Sequence, residues 1–260
     1  MARRTSTGPH HAGAPGAAPR PTAEPGTSAL PSREEKTARV RAMFDTIAPR
    51  YDLVNRLMTF GLDQRWRHTT VGALALPEGA RVLDLACGTG DLSRAATRHT
   101  YRVVGTDFSA GMLTANRAGV PLVESDGSQL PFADGAFDGL VCGYALRNFT
   151  DLGATLRESA RVLRPGGRLG ILEVDAPTSG VWRFGFDLWF NKAVPVLGGI
   201  LSDRTAYRYL PESVAYLPRS PVLRQMLLDA GFSAVGIRPL AGGLSQLILA
   251  TRVGVPAPTR

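Results

Sequence analysis

The chain has 260 residues, 44% of them hydrophobic, enough for one full core or a core with a small appendage. Its net charge of +8 rests on arginine, since Lys36 and Lys192 are the only lysines, and the excess is spread too thinly to mark a patch for nucleic acid or for an anionic membrane. Cys87 and Cys142 fall at the ends of expected interior strands rather than in spaced pairs, so neither a disulfide framework nor a metal knuckle is supported and a reducing cytoplasm is expected.

Residues 1–32 are dominated by Pro, Ala, Gly, Ser and Thr without periodicity and read as a disordered tail. Arg3 and Arg4 are not followed by an apolar run, so no secretory signal is expected there. From Arg33 the pattern turns helical: Val40, Met43, Phe44 and Ile47 share a face until Pro49 interrupts, and Tyr51 to Trp66 continues the helices in front of the main domain. These N-terminal helices are expected over 33–75, within a domain spanning 33–252.

Strands and helices then alternate. Strands are predicted at Arg81–Ala86, Arg102–Thr106, Leu122–Ser125, Phe137–Ala145 and Arg168–Val174. Between them come helices at Leu92–Arg98, Met112–Arg117 and from the cap Asp151 to Leu163, the last stopped by Arg164-Pro165-Gly166-Gly167. This rhythm predicts a doubly wound α/β fold with a Rossmann-like sheet. Residues 176–219, rich in aromatics, Pro and Gly, read as a helical insertion or lid. Their lipophilic stretch from Val181 to Leu201 is broken by Arg183, Asp187 and Lys192 and does not qualify as a membrane span. A helix at Leu223–Ala230 precedes a terminal antiparallel hairpin, Ala234–Pro239 and Leu244–Arg252, and a short tail, 253–260.

A doubly wound sheet binds ligands beyond the carboxyl ends of its strands. Gly88-Thr89-Gly90 follows the first strand, where the backbone can approach a ligand and the next helix aims its N-terminus at it; alone, such a turn occurs in many α/β proteins. Asp107, at the end of the second strand, is placed to accept hydrogen bonds from both ribose hydroxyls. Ser93 stands where a dinucleotide fingerprint needs its third glycine, which argues against pyrophosphate. Asp126-Gly127, ending the third strand, can meet an adenine through the carboxylate and the following N–H. Asp84, Asp107 and Asp126 together favour a cationic sulfonium, so the expected cofactor is S-adenosylmethionine.

Two longer segments carry a resemblance. Met43-Phe44-Asp45-Thr46-Ile47-Ala48-Pro49-Arg50-Tyr51-Asp52-Leu53-Val54-Asn55, followed by Gly61 to Trp66, resembles the N-terminal signature of the ubiquinone/menaquinone biosynthesis C-methyltransferases. Arg161 to Leu169 with Glu173 resembles their second signature, and Leu146-Arg147-Asn148 and Tyr207 to Val214 fit as well; the likeness runs from Arg39 to Arg252. It implies methyl transfer from S-adenosylmethionine to a ring carbon of a prenylated hydroquinone, such as demethylmenaquinol. It also implies cofactor contacts at Thr89, Asp107, Asp126 and Gly127, with Arg147 and Asn148 between cofactor and acceptor.

Ring carbon becomes nucleophilic only when a ring hydroxyl loses its proton. Arg147 can stabilise the resulting anion but stays protonated, so a water it holds or Tyr51 is the expected proton acceptor; otherwise Arg147 would pair with Asp151. His68, beside Arg67 on a helix, reads as exposed rather than as a base. Trp182, Phe184, Phe186, Trp189 and Phe190 supply either core or an apolar wall for a lipophilic quinol. Gly143 replaces a small hydroxyl residue of the family, and Ile248 stands where relatives place a His, so a cofactor contact and the choice of quinol are both open to change.

The expected setting is cytoplasmic, with peripheral contact at the inner face of the membrane, no nucleic-acid partner, and a homodimer among the allowed assemblies. Three alternatives stand beside this reading: a soluble phenol or polyketide as acceptor, RNA as acceptor, and a non-catalytic adenosine-ligand sensor.

Overall fold

The computed structural model describes residues 33–59, 61–175 and 216–254. The expected N-terminal tail, the aromatics from Trp182 to Phe190, the segment Tyr207 to Val214 and the end of the C-terminal tail lie outside the described residues.

Three helices come first: α1 (Arg33–Ile47), α2 (Tyr51–Met58) and α3 (Leu62–Gly72). Pro49, which lacks an N–H to continue α1, sits in a single 3-10 turn between α1 and α2. The alternating region follows as β1 (Arg81–Leu85), α4 (Asp91–Arg98), β2 (Arg102–Asp107), α5 (Ala110–Ala115), β3 (Leu122–Glu124), β4 (Phe137–Gly143), α6 (Leu152–Val162) and β5 (Leu163–Val174). After the undescribed stretch come α7 (Ser220–Asp229), β6 (Phe232–Leu240) and β7 (Ser245–Arg252).

These strands form one sheet in the order β3-β2-β1-β4-β5-β7-β6. The first five are parallel, while β7 runs antiparallel between β5 and β6. The expected hairpin is therefore present, with its second strand inserted into the sheet rather than added at its edge. Chain order reverses between β1 and β4, which opens a crevice above the carboxyl ends of those strands.

Successive strand residues face opposite sides, and this parity builds two cores. Leu83, Leu85, Leu140 and Cys142 pack with Leu156 of α6 and Leu223 and Leu227 of α7. Val82 and Val141 face the other way, onto Val71, Leu74, Leu92 and Ala95. Each fully buried leucine contributes about 2 kcal/mol by leaving water. Asp84 shares the parity of Val82, so its carboxylate meets α4 instead of the larger core.

Several boundaries differ from the sequence reading, two of them for a clear local reason. Strand β5 begins at Leu163, not Arg168: Leu163 pairs with Phe137, and Arg164-Pro165-Gly166-Gly167 is absorbed by a register shift before Gly139 pairs with Arg168. Helix α5 begins at Ala110 because Ser109 caps it, its hydroxyl accepting the Met112 N–H at 3.0 Å. The expected cap Asp151 does start α6, accepting the Ala154 N–H at 2.8 Å.

The N-terminal helices are fastened to this scaffold by the polar residues of the Met43–Asn55 segment. Asp45 accepts hydrogen bonds from the Ser109 hydroxyl at 2.5 Å and the Gly111 N–H at 3.0 Å, tying α1 to the start of α5. Asp52 of α2 accepts from the Thr89 hydroxyl in the loop after β1. Ile47 and Ala48 bury against Met112 between these two ties.

Candidate active site

At the carboxyl end of β1 the chain must turn sharply into α4. Ala86 adopts a φ of 55° and Gly90 a φ of 90°, a region where only glycine is unstrained. A Cβ on Gly90 would lie 2.6 Å from Asn116 Oδ1, so the turn needs glycine for space as well. The loop is pinned from below: Gly88 N–H donates to Asp107 Oδ2 at 2.9 Å, and Asn116 donates to the Gly88 carbonyl at 2.8 Å.

This loop floors a pocket lined by Tyr51, Gly88, Thr89, Asp107, Asp126, Gly127 and Asn148, which brings together nearly all the residues singled out from the sequence. Asp107 is buried, and Ser109 N–H donates to its Oδ1 at 3.0 Å. Burial raises its pKa, against the hydrogen bonds from Ser109 and Gly88 that favour the charged form. Asp126 is exposed, with Oδ1 held by the N–H and hydroxyl of Ser128 at 2.7 and 2.8 Å. Gly127 is buried, and a Cβ there would stand 3.0 Å from the Phe149 ring. Asn148 lines the pocket, and its Oδ1 is buried without a hydrogen-bond partner among the described residues.

Asp84, fully buried at the end of β1, is the most unusual group of the lining. Its Oδ2 accepts from the Ser93 hydroxyl at 2.6 Å, while Oδ1 has no partner among the described residues. Burial pushes the carboxyl up to about 7, outweighing the Ser93 hydrogen bond and the pull of the Arg67 charge. Ser93, which stands in place of a third glycine, thus serves Asp84.

Among the described residues four carboxylates and one guanidinium, Arg67, line the pocket, so a cation is favoured there. Arg67 was overlooked in the sequence reading. It is buried on the inner face of α3, 3.4 Å from Asp63 and 3.5 Å from Asp91, with its guanidinium 5.6 Å from the centre of the Tyr144 ring. Burial works against its charge, but the attraction of Asp91, Tyr144 and Asp63 prevails and its pKa is raised. The four-residue spacing of Asp63 and Arg67 was the available signal. His68 points elsewhere, 3.2 Å from Arg98, and its pKa is lowered by burial and by Arg98 and His99; it does not line the pocket.

Arg147 requires a correction. It is not among the residues lining the pocket: it is buried, with Nη1 2.5 Å from Glu173 Oε1 and 2.8 Å from the Tyr144 carbonyl. Glu173 is fully buried at the end of β5 and also accepts the Leu146 N–H at 2.9 Å. A carboxylate at that depth needs a cation, and Arg147 is the one that meets it. The pair fixes the turn from Tyr144 to Asn148. Tyr144 itself has a φ of 57°, a strained conformation for a non-glycine residue, and it lines the pocket with its hydroxyl 3.1 Å from that of Ser245. Burial pushes its phenol pKa well up.

The two departures have different consequences. Gly143 lines the pocket, and a Cβ there would lie 2.7 Å from Leu92 Cδ1 and 3.5 Å from Arg67 Nη1. Leu92 and Arg67 therefore occupy the space a hydroxyl residue would take. Ile248 is fully buried in mid-sheet, between Ile171 and Ile237, and does not line the pocket.

The lining fits S-adenosylmethionine on its own chemistry: an acidic surround for a sulfonium, unpartnered buried oxygens on Asp84 and Asn148, and a glycine turn open to close approach. Among the described residues no helix is long and apolar enough to cross a membrane, and no cluster of His, Cys, Asp and Glu is suited to a metal ion.

Comparison with known proteins agrees. Residues 32–253 match the model of the ubiE/COQ5 methyltransferase family. The demethylmenaquinone methyltransferase of Corynebacterium kroppenstedtii is 42% identical over 221 residues, 84% of this chain and 96% of that protein. That of Thermus thermophilus is 44% identical over 201 residues, 74% and 91% of the two chains. The ubiquinone/menaquinone biosynthesis C-methyltransferase UbiE of Geobacter sulfurreducens is 38% identical over 82% of this chain and 88% of its own. Among solved structures, phosphoethanolamine N-methyltransferase 2 of Haemonchus contortus, in complex with S-adenosylhomocysteine, superposes with a TM-score of 0.60 at 14% identity, covering 86% of this chain and 61% of that one. An S-adenosylmethionine-dependent methyltransferase of Thermotoga maritima gives 0.58 at 19% identity, with 82% and 99% covered. The chain belongs to the ubiE/COQ5 methyltransferase family and is an S-adenosylmethionine-dependent methyltransferase.

Proposed function

We propose that this enzyme methylates a ring carbon of a prenylated hydroquinone, converting demethylmenaquinol to menaquinol. The observation that carries this reading is that Phe44 and Tyr51, from the segment resembling quinol C-methyltransferases, close the same pocket as Asp84 and Asp107. Full-length relatives named for that reaction support it.

S-adenosylmethionine supplies an electrophilic methyl group on sulfur. Asp107 holds the ribose hydroxyls, Asp126 and Gly127 take the adenine, and Thr89 and Gly90 shape the loop beside the methionine portion. Asp84 offers the sulfonium a buried negative charge. Asn148 brings its unpartnered oxygen to the acceptor side, and Arg147 acts through Glu173 and the Tyr144 carbonyl as a positioning residue for that turn. Tyr51, which lines the pocket, relays the ring-hydroxyl proton to water. The ring carbon forms its bond to the methyl as the sulfur–methyl bond breaks with its electron pair left on sulfur. A water takes the ring C–H proton to restore aromaticity, and the ring oxygen is reprotonated, so that one proton is released overall. Alignment of carbon, methyl and sulfur supplies the rest of the acceleration.

A lipophilic acceptor places the enzyme in the cytoplasm with peripheral contact at the inner face of the membrane, and a homodimer is compatible with this arrangement. The test is competition: the protein receives S-adenosylmethionine bearing a trideuterated methyl group, with reduced demethylmenaquinone in detergent, a soluble catechol and bulk RNA together. Mass spectrometry should find the label in the quinol; label confined to the catechol or to RNA would refute the proposal.

A further inference from the structure

Helix α2 faces two ways. Tyr51 lines the donor pocket and Asp52 holds Thr89, yet Leu53 and Leu57, one helical turn apart, are 52% and 44% exposed. Leu62, at the start of α3, adds a third leucine at 37% exposure. Beside them lies a cleft lined by Leu53, Asp52, Thr89 and three arginines, Arg56, Arg94 and Arg117. Arg94 is committed to Asp91 and to the Thr89 carbonyl and lies 3.8 Å from Asp52, and Arg56 lies 4.0 Å from Asp91. Arg117 is exposed. Even with Asp52 and Asp91 counted, the three guanidinium groups leave the cleft positive.

Exposed leucines next to a positive cleft form a surface of one recognisable kind. The leucines lose water when they enter an apolar phase, while the arginines need an anion at the boundary of that phase. A phospholipid surface provides both, acyl chain and phosphate, and the chain's net charge of +8 adds a general attraction to an anionic leaflet. We propose that the α2 face, Leu53 and Leu57 with Leu62, docks on an anionic membrane, with a lipid phosphate seated among Arg56, Arg94 and Arg117. The inference deepens the reading of a lipophilic acceptor and rests on it. Docking through the helix that carries Tyr51 sets the catalytic pocket beside the bilayer, where the acceptor resides.

The experiment is co-sedimentation of the full chain with phosphatidylcholine vesicles, with and without phosphatidylglycerol. Binding should require phosphatidylglycerol and weaken as salt rises. Leu53→Gln with Leu57→Gln should weaken it roughly tenfold or more, and Arg117→Glu should weaken it at low salt, with thermal melts and S-adenosylmethionine affinity unchanged in both. Equal binding to both vesicle types, or full binding by the leucine variant, would overturn the proposal. So would self-association of the wild-type chain that the leucine variant abolishes, without vesicle binding, which would assign the face to a second copy. A short-chain quinol in solution separates this from the proposed reaction: the leucine variant should methylate it as the wild type does, whereas a wild type that methylates no quinol refutes the reaction and leaves the vesicle result to be read on its own.

Discussion

The buried Asp84 carboxyl makes the affinity for the methyl donor depend on pH in a way the demethylated product does not share. Burial raises this carboxyl to about 7, so it is largely protonated in the free enzyme at pH 6 and largely ionised at pH 8. A sulfonium interacts favourably with the ionised form only. If that form alone binds well, affinity for S-adenosylmethionine should improve about tenfold from pH 6 to pH 8, or about 1.4 kcal/mol. S-adenosylhomocysteine has the same ribose, base and amino acid but a neutral sulfur, so its affinity should change far less, and the ratio of the two removes the contribution of Asp107. Calorimetry across this range measures both. Asp84→Asn keeps an oxygen for the Ser93 hydroxyl and should flatten the profile for S-adenosylmethionine. Parallel pH profiles for the two ligands, or an unchanged slope in Asp84→Asn, would refute the assignment of Asp84 to the sulfonium.

Other consequences follow from neighbouring contacts. Asp107→Ala removes the proposed ribose acceptor and the anchor of the Gly88 and Ser109 N–H groups, and should weaken S-adenosylmethionine binding by roughly a hundredfold or more in calorimetry, with Asp107→Asn intermediate. Glu173→Ala takes away the carboxylate that Arg147 meets and the acceptor of the Leu146 N–H, and urea unfolding should register a loss of about 3–5 kcal/mol; a loss below about 1 kcal/mol would show that the pair does not hold the turn. Gly143→Ser forces Leu92 aside and should cost about 1–3 kcal/mol in the same assay, recovered in part by Leu92→Ala; a fully tolerated serine would contradict the packing described.

Much of the site could be read from the sequence because its geometry is tied to strand ends. Asp84, Asp107 and Asp126 each end or adjoin a parallel strand, and the sheet itself brings strand ends together, so linear spacing is enough to predict their meeting. The hydrophobic alternation that located β1 and β4 is the same physical signal that builds the two cores. Arg147 was misplaced because its position in the chain says where the backbone lies but not which way the side chain turns; the deciding partner, Glu173, is 26 residues away on the next strand. Arg67 was missed for the same reason, since only the fold shows that the inner face of α3 covers the crevice. The insertion of β7 between β5 and β6 could not be read locally either, because a hairpin pattern does not state which of its strands is the edge. Asp45 and Asp52 carried no chemistry of their own in the sequence, and the structure gives them the task of clamping α1 and α2 over the donor pocket.

The position to which the methyl group is delivered is the most direct test of the proposed reaction. With S-adenosylmethionine enriched in carbon-13 at the methyl group, reduced demethylmenaquinone and the full chain, NMR of the extracted product distinguishes a methyl on a ring carbon from one on a ring oxygen. Ring-carbon methylation should give a single enriched aryl-methyl signal, lost in Asp107→Ala. An enriched methoxy signal, or no enrichment of the quinol while S-adenosylmethionine is consumed, would contradict it.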